Sequence, residues 1–154
     1  MSSDGNRSSA DDAAGSAPAP DDELAGNGRP RILIVEDERL LLKPVASLLA
    51  DEGFDVVGAA DGVEALEIYR RQPRAIALVI LDVHLPGLDG FQVFRRMKEL
   101  DERVAVLFVS GNVVEPSRHA LIASGARGYL PKPYRIETLV AKIRESLNSP
   151  GPLH

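Results

Sequence analysis

The sequence predicts a doubly wound α/β fold, a five-stranded parallel sheet with helices on both faces. Short apolar runs alternate with amphipathic segments from Arg31 onward. One run, Ala75-Ile76-Ala77-Leu78-Val79-Ile80-Leu81, is unbroken and ends on Asp82, which suits a strand buried on both faces of a parallel sheet. The ends of the apolar runs also carry reactive polar groups: Glu36-Asp37, Asp82, Ser110 and, two residues after the fifth run, Lys132. Strands alternating with helices in this way call for right-handed crossovers.

Taken in order, Ile32 to Val35 is the first strand, closed by Glu36-Asp37. Leu41, Val45, Leu48 and Leu49 then recur at helical spacing up to Gly53. Pro44 conflicts with that helix, because it forfeits one backbone hydrogen bond and should kink it. Asp55 to Ala59 is the second strand, and Asp61-Gly62-Val63-Glu64 resembles a capping box opening a helix to about Gln72. The Asp82 strand is the third. After the loop residues Val83 to Gly90, a helix shows Val93, Phe94, Met97 and Leu100 on one face. Val104 to Val109 is the fourth strand and ends on Ser110. Glu115-Pro116 starts a short, weakly apolar helix through Ser124, and Arg127 to Leu130 is the fifth strand, leading into Pro131-Lys132-Pro133. The last helix has the cleanest period, with Ile136, Leu139, Val140, Ile143 and Leu147.

The 154 residues suffice for one domain with a proper core, expected over 29–148, with a breaker-rich tail at 149–154. Residues 1–28 consist largely of Ser, Asp, Ala, Gly and Pro, and Leu24 is their one large apolar side chain beyond the initiator. Such a segment buries too little surface to offset its ordering entropy, so a disordered acidic tail is expected. Asp4, Asp11, Asp12, Asp21, Asp22 and Glu23 against Arg7 account for the whole net charge of −5, leaving the body neutral. A neutral body with an acidic tail has no footprint for a phosphate backbone, so nucleic acid is not expected as a direct partner. With no cysteine, disulfides, thiol nucleophiles and cysteine metal clusters are excluded, which fits a cytoplasmic protein. No apolar run approaches the roughly 18 residues of a membrane helix, and the acidic N-terminus does not read as a signal peptide.

In the strand order 2-1-3-4-5, the flavodoxin-like arrangement, strands 1, 3, 4 and 5 are neighbours and the switch point falls between 1 and 3. Glu36, Asp37, Asp82, Ser110 and Lys132 then converge in one crevice. Any one could be incidental, since strand-end Asp and Ser often just cap the next helix; together they suit a narrower chemistry. Three carboxylates invite a divalent cation, and an all-oxygen site suits Mg²⁺. Asp82 could act as a nucleophile toward phosphorus, with Lys132 and the Ser110 hydroxyl serving the phosphoryl oxygens.

These residues, with Val35-Glu36-Asp37-Glu38, Leu81-Asp82, Leu85-Pro86-Gly87-Leu88-Asp89-Gly90, Val109-Ser110-Gly111 and Gly125-Ala126-Arg127-Gly128-Tyr129-Leu130-Pro131-Lys132-Pro133, give a chain that resembles the receiver domains of two-component response regulators over about Arg31 to Leu147. The resemblance implies that Glu36 and Asp37 form an acidic pair, with Asp37 the more direct metal ligand. It implies that Asp82 is phosphorylated and contacts the metal, and that the backbone carbonyl of His84 supplies a further ligand. Ser110 would hold a phosphoryl oxygen, Lys132 would form the ion pair, the bond to Pro133 would be cis, and Tyr129 would turn inward as a switch. It also implies Mg²⁺ as cofactor, a sensor histidine kinase or phosphotransfer protein as donor, an unknown downstream protein as target, and phosphorylation-dependent homodimerisation as an option. Glu36 stands where many receivers have Asp, and Ser110 where threonine is also usual. With one helix after the last strand, a single-domain regulator acting by protein contact, near Tyr129, is expected rather than an enzyme.

His84 has no partner at ligand spacing, so its imidazole reads as exposed, and Asp89 reads as a helix cap. Arg95, Arg96 and Lys98 read as a solvated helix face. Two other functions compete. A haloacid-dehalogenase-like phosphohydrolase also uses a strand-end Asp but needs a second Asp two residues on, where His84 stands. A phosphorylation-independent adaptor need not keep all five polar residues.

Overall fold

The computed structural model describes residues 28–72, 74–111, 119–121 and 123–148. The tail read at 1–28, except Gly28, the tail at 149–154 and most of the helix read over 115–124 lie outside the described residues; residues 119–121 and 123 are helical. The elements are β1 (Arg31–Val35), α1 (Arg39–Asp51), β2 (Asp55–Ala59), α2 (Gly62–Arg71), β3 (Ile76–Asp82), α3 (Gly90–Leu100), β4 (Val106–Ser110), β5 (Gly128–Pro131) and α4 (Ile136–Asn148). All strand pairs are parallel and the order is β2-β1-β3-β4-β5, the doubly wound order read from the sequence.

Strand periodicity sends alternate residues to opposite faces, and the central strands are apolar in both directions. Leu33, Val35, Val79, Leu81, Val106 and Phe108 pack with α2 and α3 through Leu66, Tyr69, Phe94 and Met97. Ile32, Ile34, Leu78, Ile80, Leu107 and Val109 pack with Leu49 of α1 and with Leu139, Val140 and Ile143 of α4. β3 is therefore buried on both faces, as its composition predicts, and its last residue, Asp82, is only 6% exposed.

The helix ends follow local chemistry. The Asp61 side chain accepts from the Glu64 N–H at 2.8 Å, while Glu64 reaches back one residue further than in a strict capping box, to the Ala60 N–H. Asp89 and Gln92 form the reciprocal box at the start of α3, so Asp89 is the cap that its position suggested. α1 differs from the sequence reading. Its inward face is Leu42, Val45 and Leu49, while Leu41 and Leu48 remain 45% and 44% exposed and Leu40 points fully outward. Leucines stand on several faces of α1, so spacing alone does not select the one that meets the sheet. The helix continues from Arg39 to Asp51 through Pro44. Among the described residues no helix is long and apolar enough to cross a membrane.

Candidate phosphoacceptor and metal site

Four strands deliver the polar side chains. Glu36 and Asp37 follow β1, Asp82 ends β3, Ser110 ends β4, and Lys132 follows β5. Lateral register brings them together: Val35 pairs with Leu81, Asp82 with Val109, and Ser110 with Pro131. Each polar residue thus sits at or just past the carboxyl edge, where open α/β sheets hold ligands.

Lys132 ties the crevice together. Its ammonium lies 2.7 Å from Asp82 Oδ2 and 2.8 Å from Glu36 Oε1. Glu36 and Asp82 are buried, whereas Asp37 is exposed. Partial burial pulls the Lys132 ammonium toward the neutral form, but its hydrogen bonds and charge contacts with Asp82 and Glu36 outweigh that and hold its pKa well above the ordinary lysine value. The second oxygens are oriented by backbone: Asp82 Oδ1 accepts from the His84 N–H at 2.9 Å, and Glu36 Oε2 from the Glu38 N–H at 3.2 Å. The exposed His84 imidazole takes no part in these bonds.

Ser110 is fully buried. Its carbonyl accepts from the Lys132 N–H at 2.9 Å and, at 3.4 Å, from the hydroxyl of the half-buried Tyr129. The Lys132–Pro133 peptide bond is cis. Ligand oxygens of Glu36, Asp37 and Asp82 all lie within 4.8 Å of one another. Among the described residues these three carboxylates, set against Lys132, leave two negative charges in the crevice. Hard oxygen donors with that residual charge fit a divalent cation of the Mg²⁺ type.

Two residues bear on the site that sequence reasoning gave no role. Gly90, the first residue of α3, packs so closely behind Asp82 that a Cβ there would lie 2.5 Å from the Asp82 carbonyl oxygen and 2.8 Å from Val83 Cα. Its signal was its place after the Asp89 cap, but the near contact is tertiary. Tyr134 feels the charges of Lys132, Glu36 and Asp82, and its hydroxyl pKa is raised, chiefly by burial. Only its position after Lys132-Pro133 hinted at this.

The response regulator receiver domain model matches residues 32–144, most of the chain and all five strands but the first residue of β1. This chain belongs to the response regulator receiver family. Among curated relatives, the response regulator MprA of Mycobacterium sp. (strain KMS) is 37% identical over 123 residues, covering 79% of this chain and 52% of the relative. The uncharacterized transcriptional regulatory protein YkoG of Bacillus subtilis (strain 168) is 36% identical over 120 residues, covering 78% and 52%. The receiver thus spans about half the length of these relatives. Among solved structures, a receiver domain protein from Clostridium thermocellum aligns at TM-score 0.73 and 28% identity, covering 77% of this chain and 94% of that one. The CheX–CheY–BeF₃–Mg²⁺ complex from Borrelia burgdorferi aligns at TM-score 0.74 and 26% identity, covering 78% and 90%. Receiver domains bind Mg²⁺ at an acidic pocket, and this receiver carries an acidic cluster of Glu36, Asp37 and Asp82.

Proposed function

We propose that this receiver takes a phosphoryl group onto Asp82 in a Mg²⁺-dependent transfer from the phosphohistidine of a sensor kinase or phosphotransfer protein. The observation that carries the reading is the Asp82 carboxylate itself: buried at a strand end, paired at 2.7 Å with Lys132, and clustered with the Glu36 and Asp37 oxygens. A carboxylate oxygen of Asp82 attacks phosphorus, the phosphorus–nitrogen bond breaks, and the histidine nitrogen leaves with the electron pair and takes a proton. Glu36, Asp37, Asp82 and the His84 carbonyl would hold Mg²⁺, which when bound neutralises the incoming phosphoryl charge. Lys132, always protonated at neutral pH, supplies a fixed positive charge, and Ser110 offers a hydroxyl to a phosphoryl oxygen.

Signalling would proceed by protein contact. A groove beside β5 and α4 is lined by His119, Tyr129, Tyr134, Arg135, Thr138 and Lys142 among others, and Tyr129 joins that groove to the Ser110 carbonyl. Movement of Ser110 toward a phosphoryl group would remove the acceptor that Tyr129 reaches for, biasing the groove between two arrangements. Phosphorylation-dependent self-association would use the same surface. A cytoplasmic setting belongs to this reading, and the lack of cysteine accords with it.

The test is incubation with a small phosphodonor and Mg²⁺. The expected product is a singly phosphorylated, acid-stable and base-labile adduct that is absent in Asp82→Asn. Multiple-turnover phosphate release would favour a phosphohydrolase instead, and no labelling at all would favour an adaptor.

A further inference from the structure

Arginines outnumber acids around two adjoining hollows away from the candidate site. A groove between α2 and α3 is lined by Arg70, Arg95, Arg96, Glu99 and Leu100, among others, and continues through Leu100 into a second hollow beside Arg74, Asp101 and Arg103. Five arginines therefore face two acids around one exposed leucine. All five arginines are exposed. Arg70 shares Glu67 with Arg71, at 3.6 and 3.7 Å, distances at which a surface pair contributes little. The side chains of Arg74, Arg95, Arg96 and Arg103 have no ion pair with the described residues. Asp101 is already engaged, accepting from the Tyr69 hydroxyl at 3.1 Å and the Arg103 N–H at 3.0 Å. Leu100 is 45% exposed where the two hollows meet.

The chain enters the body beside this patch. Arg31, the first residue of β1, donates from Nη1 to Gln72 Oε1 at 2.8 Å, just past the end of α2. It also lies in register with Ile76, which lines the same hollow as Arg74 and Arg103. Directly upstream stands Asp21-Asp22-Glu23-Leu24. From Glu23 to Arg31 the backbone can extend up to about 27 Å and averages roughly 16 Å as a flexible linker. The segment offers three consecutive carboxylates and the only large apolar side chain in residues 2–28, the complement of arginines around Leu100. Tethering gives it an effective concentration on the order of millimolar at the groove, well ahead of untethered competitors.

We propose that Asp21-Asp22-Glu23 docks on the arginine groove formed by Arg70, Arg74, Arg95, Arg96 and Arg103, with Leu24 against Leu100. Docked there, the segment competes with other polyanions for these arginines at low salt.

The test is made on the full chain. Amide shifts of the wild type are compared with those of D21N/D22N/E23Q at about 50 mM and about 500 mM salt, where surface attraction is screened. Beyond residues 19–25, whose amides shift with the substitutions themselves, docking predicts differences confined to residues 70–76 and 95–103 at low salt and abolished at high salt. The reverse variant, R95Q/R96Q, should move the amides of residues 20–25. A short duplex DNA, used as a polyanion probe, should bind the tail variant at least about threefold more tightly than the wild type, since the competing segment is lost. Phosphodonor labelling of Asp82 should be the same in all these proteins, so failure of this proposal is distinct from failure of the phosphoacceptor reading. No shift differences, differences centred on another face, or differences that grow with protein concentration, which would mean contact between copies, would each overturn it. Equal DNA affinity in wild type and variant would do the same.

Discussion

Lys132 bridges two buried carboxylates and offsets their charge, at 2.7 Å from Asp82 and 2.8 Å from Glu36. Replacing it by methionine leaves Glu36 and Asp82 facing each other without a counter-ion. Lys132→Met should therefore lose about 2–3 kcal/mol of stability in urea unfolding at neutral pH, with part of the loss restored by Mg²⁺. Its phosphodonor labelling should fall about tenfold or more. The Lys132 pKa lies above its unfolded value, and so does that of Tyr69, through burial and then the Asp101 charge. For a group raised in the folded state, the stabilisation is complete below the unfolded pKa and fades as pH climbs past it. Both groups therefore stabilise the fold fully at neutral pH and begin to lose that contribution only above about pH 10. The thermal midpoint followed through this alkaline range should decline more gently in Tyr69→Phe than in the wild type.

At the scale of elements, α1 and α3 carry opposite kinds of strain. Pro44 is the sixth residue of α1 and exposed, so it deprives the Leu40 carbonyl of its donor without any packing return. Pro44→Ala should stabilise the protein by about 1–3 kcal/mol, read as a higher urea midpoint. Gly90 is the reverse case: the missing Cβ lets α3 approach the backbone of Asp82 and Val83, and backbone cannot yield as a flexible side chain would. Gly90→Ala should destabilise by about 1–3 kcal/mol and slow phosphodonor labelling together with it, because the shift falls on Asp82. The caps, by contrast, were readable in advance. Asp89 accepting from Gln92 is a contact three residues apart, which sequence spacing describes well.

At the scale of the whole molecule, carboxylates cluster at the carboxyl edge of the sheet, and arginines outnumber acids around the hollows beside α2 and α3. A divalent cation that binds only the folded receiver should raise its stability by about 2.7 kcal/mol at a hundredfold excess over Kd. Thermal midpoints with and without Mg²⁺ should show that gain in the wild type and much less of it in Asp37→Asn, whose exposed carboxylate contributes to the cluster. With the sheet order supplied by the resemblance to a known fold, sequence by itself determined the α/β class, the five strands and the set of polar residues at strand ends. Those follow from local apolar runs and from rules of handedness that need no side-chain detail. Only the tertiary structure decided how the set is joined. The Lys132 bridge spans 50 residues to Asp82 and 96 to Glu36, and it leaves Asp37 outside. It likewise decided which leucines of α1 face inward, why Gly90 has no side chain, and that scattered arginines form one groove. Periodicity fixes where a side chain can point along its own element. Which distant group it meets depends on the packing of whole elements, and no local pattern encodes that.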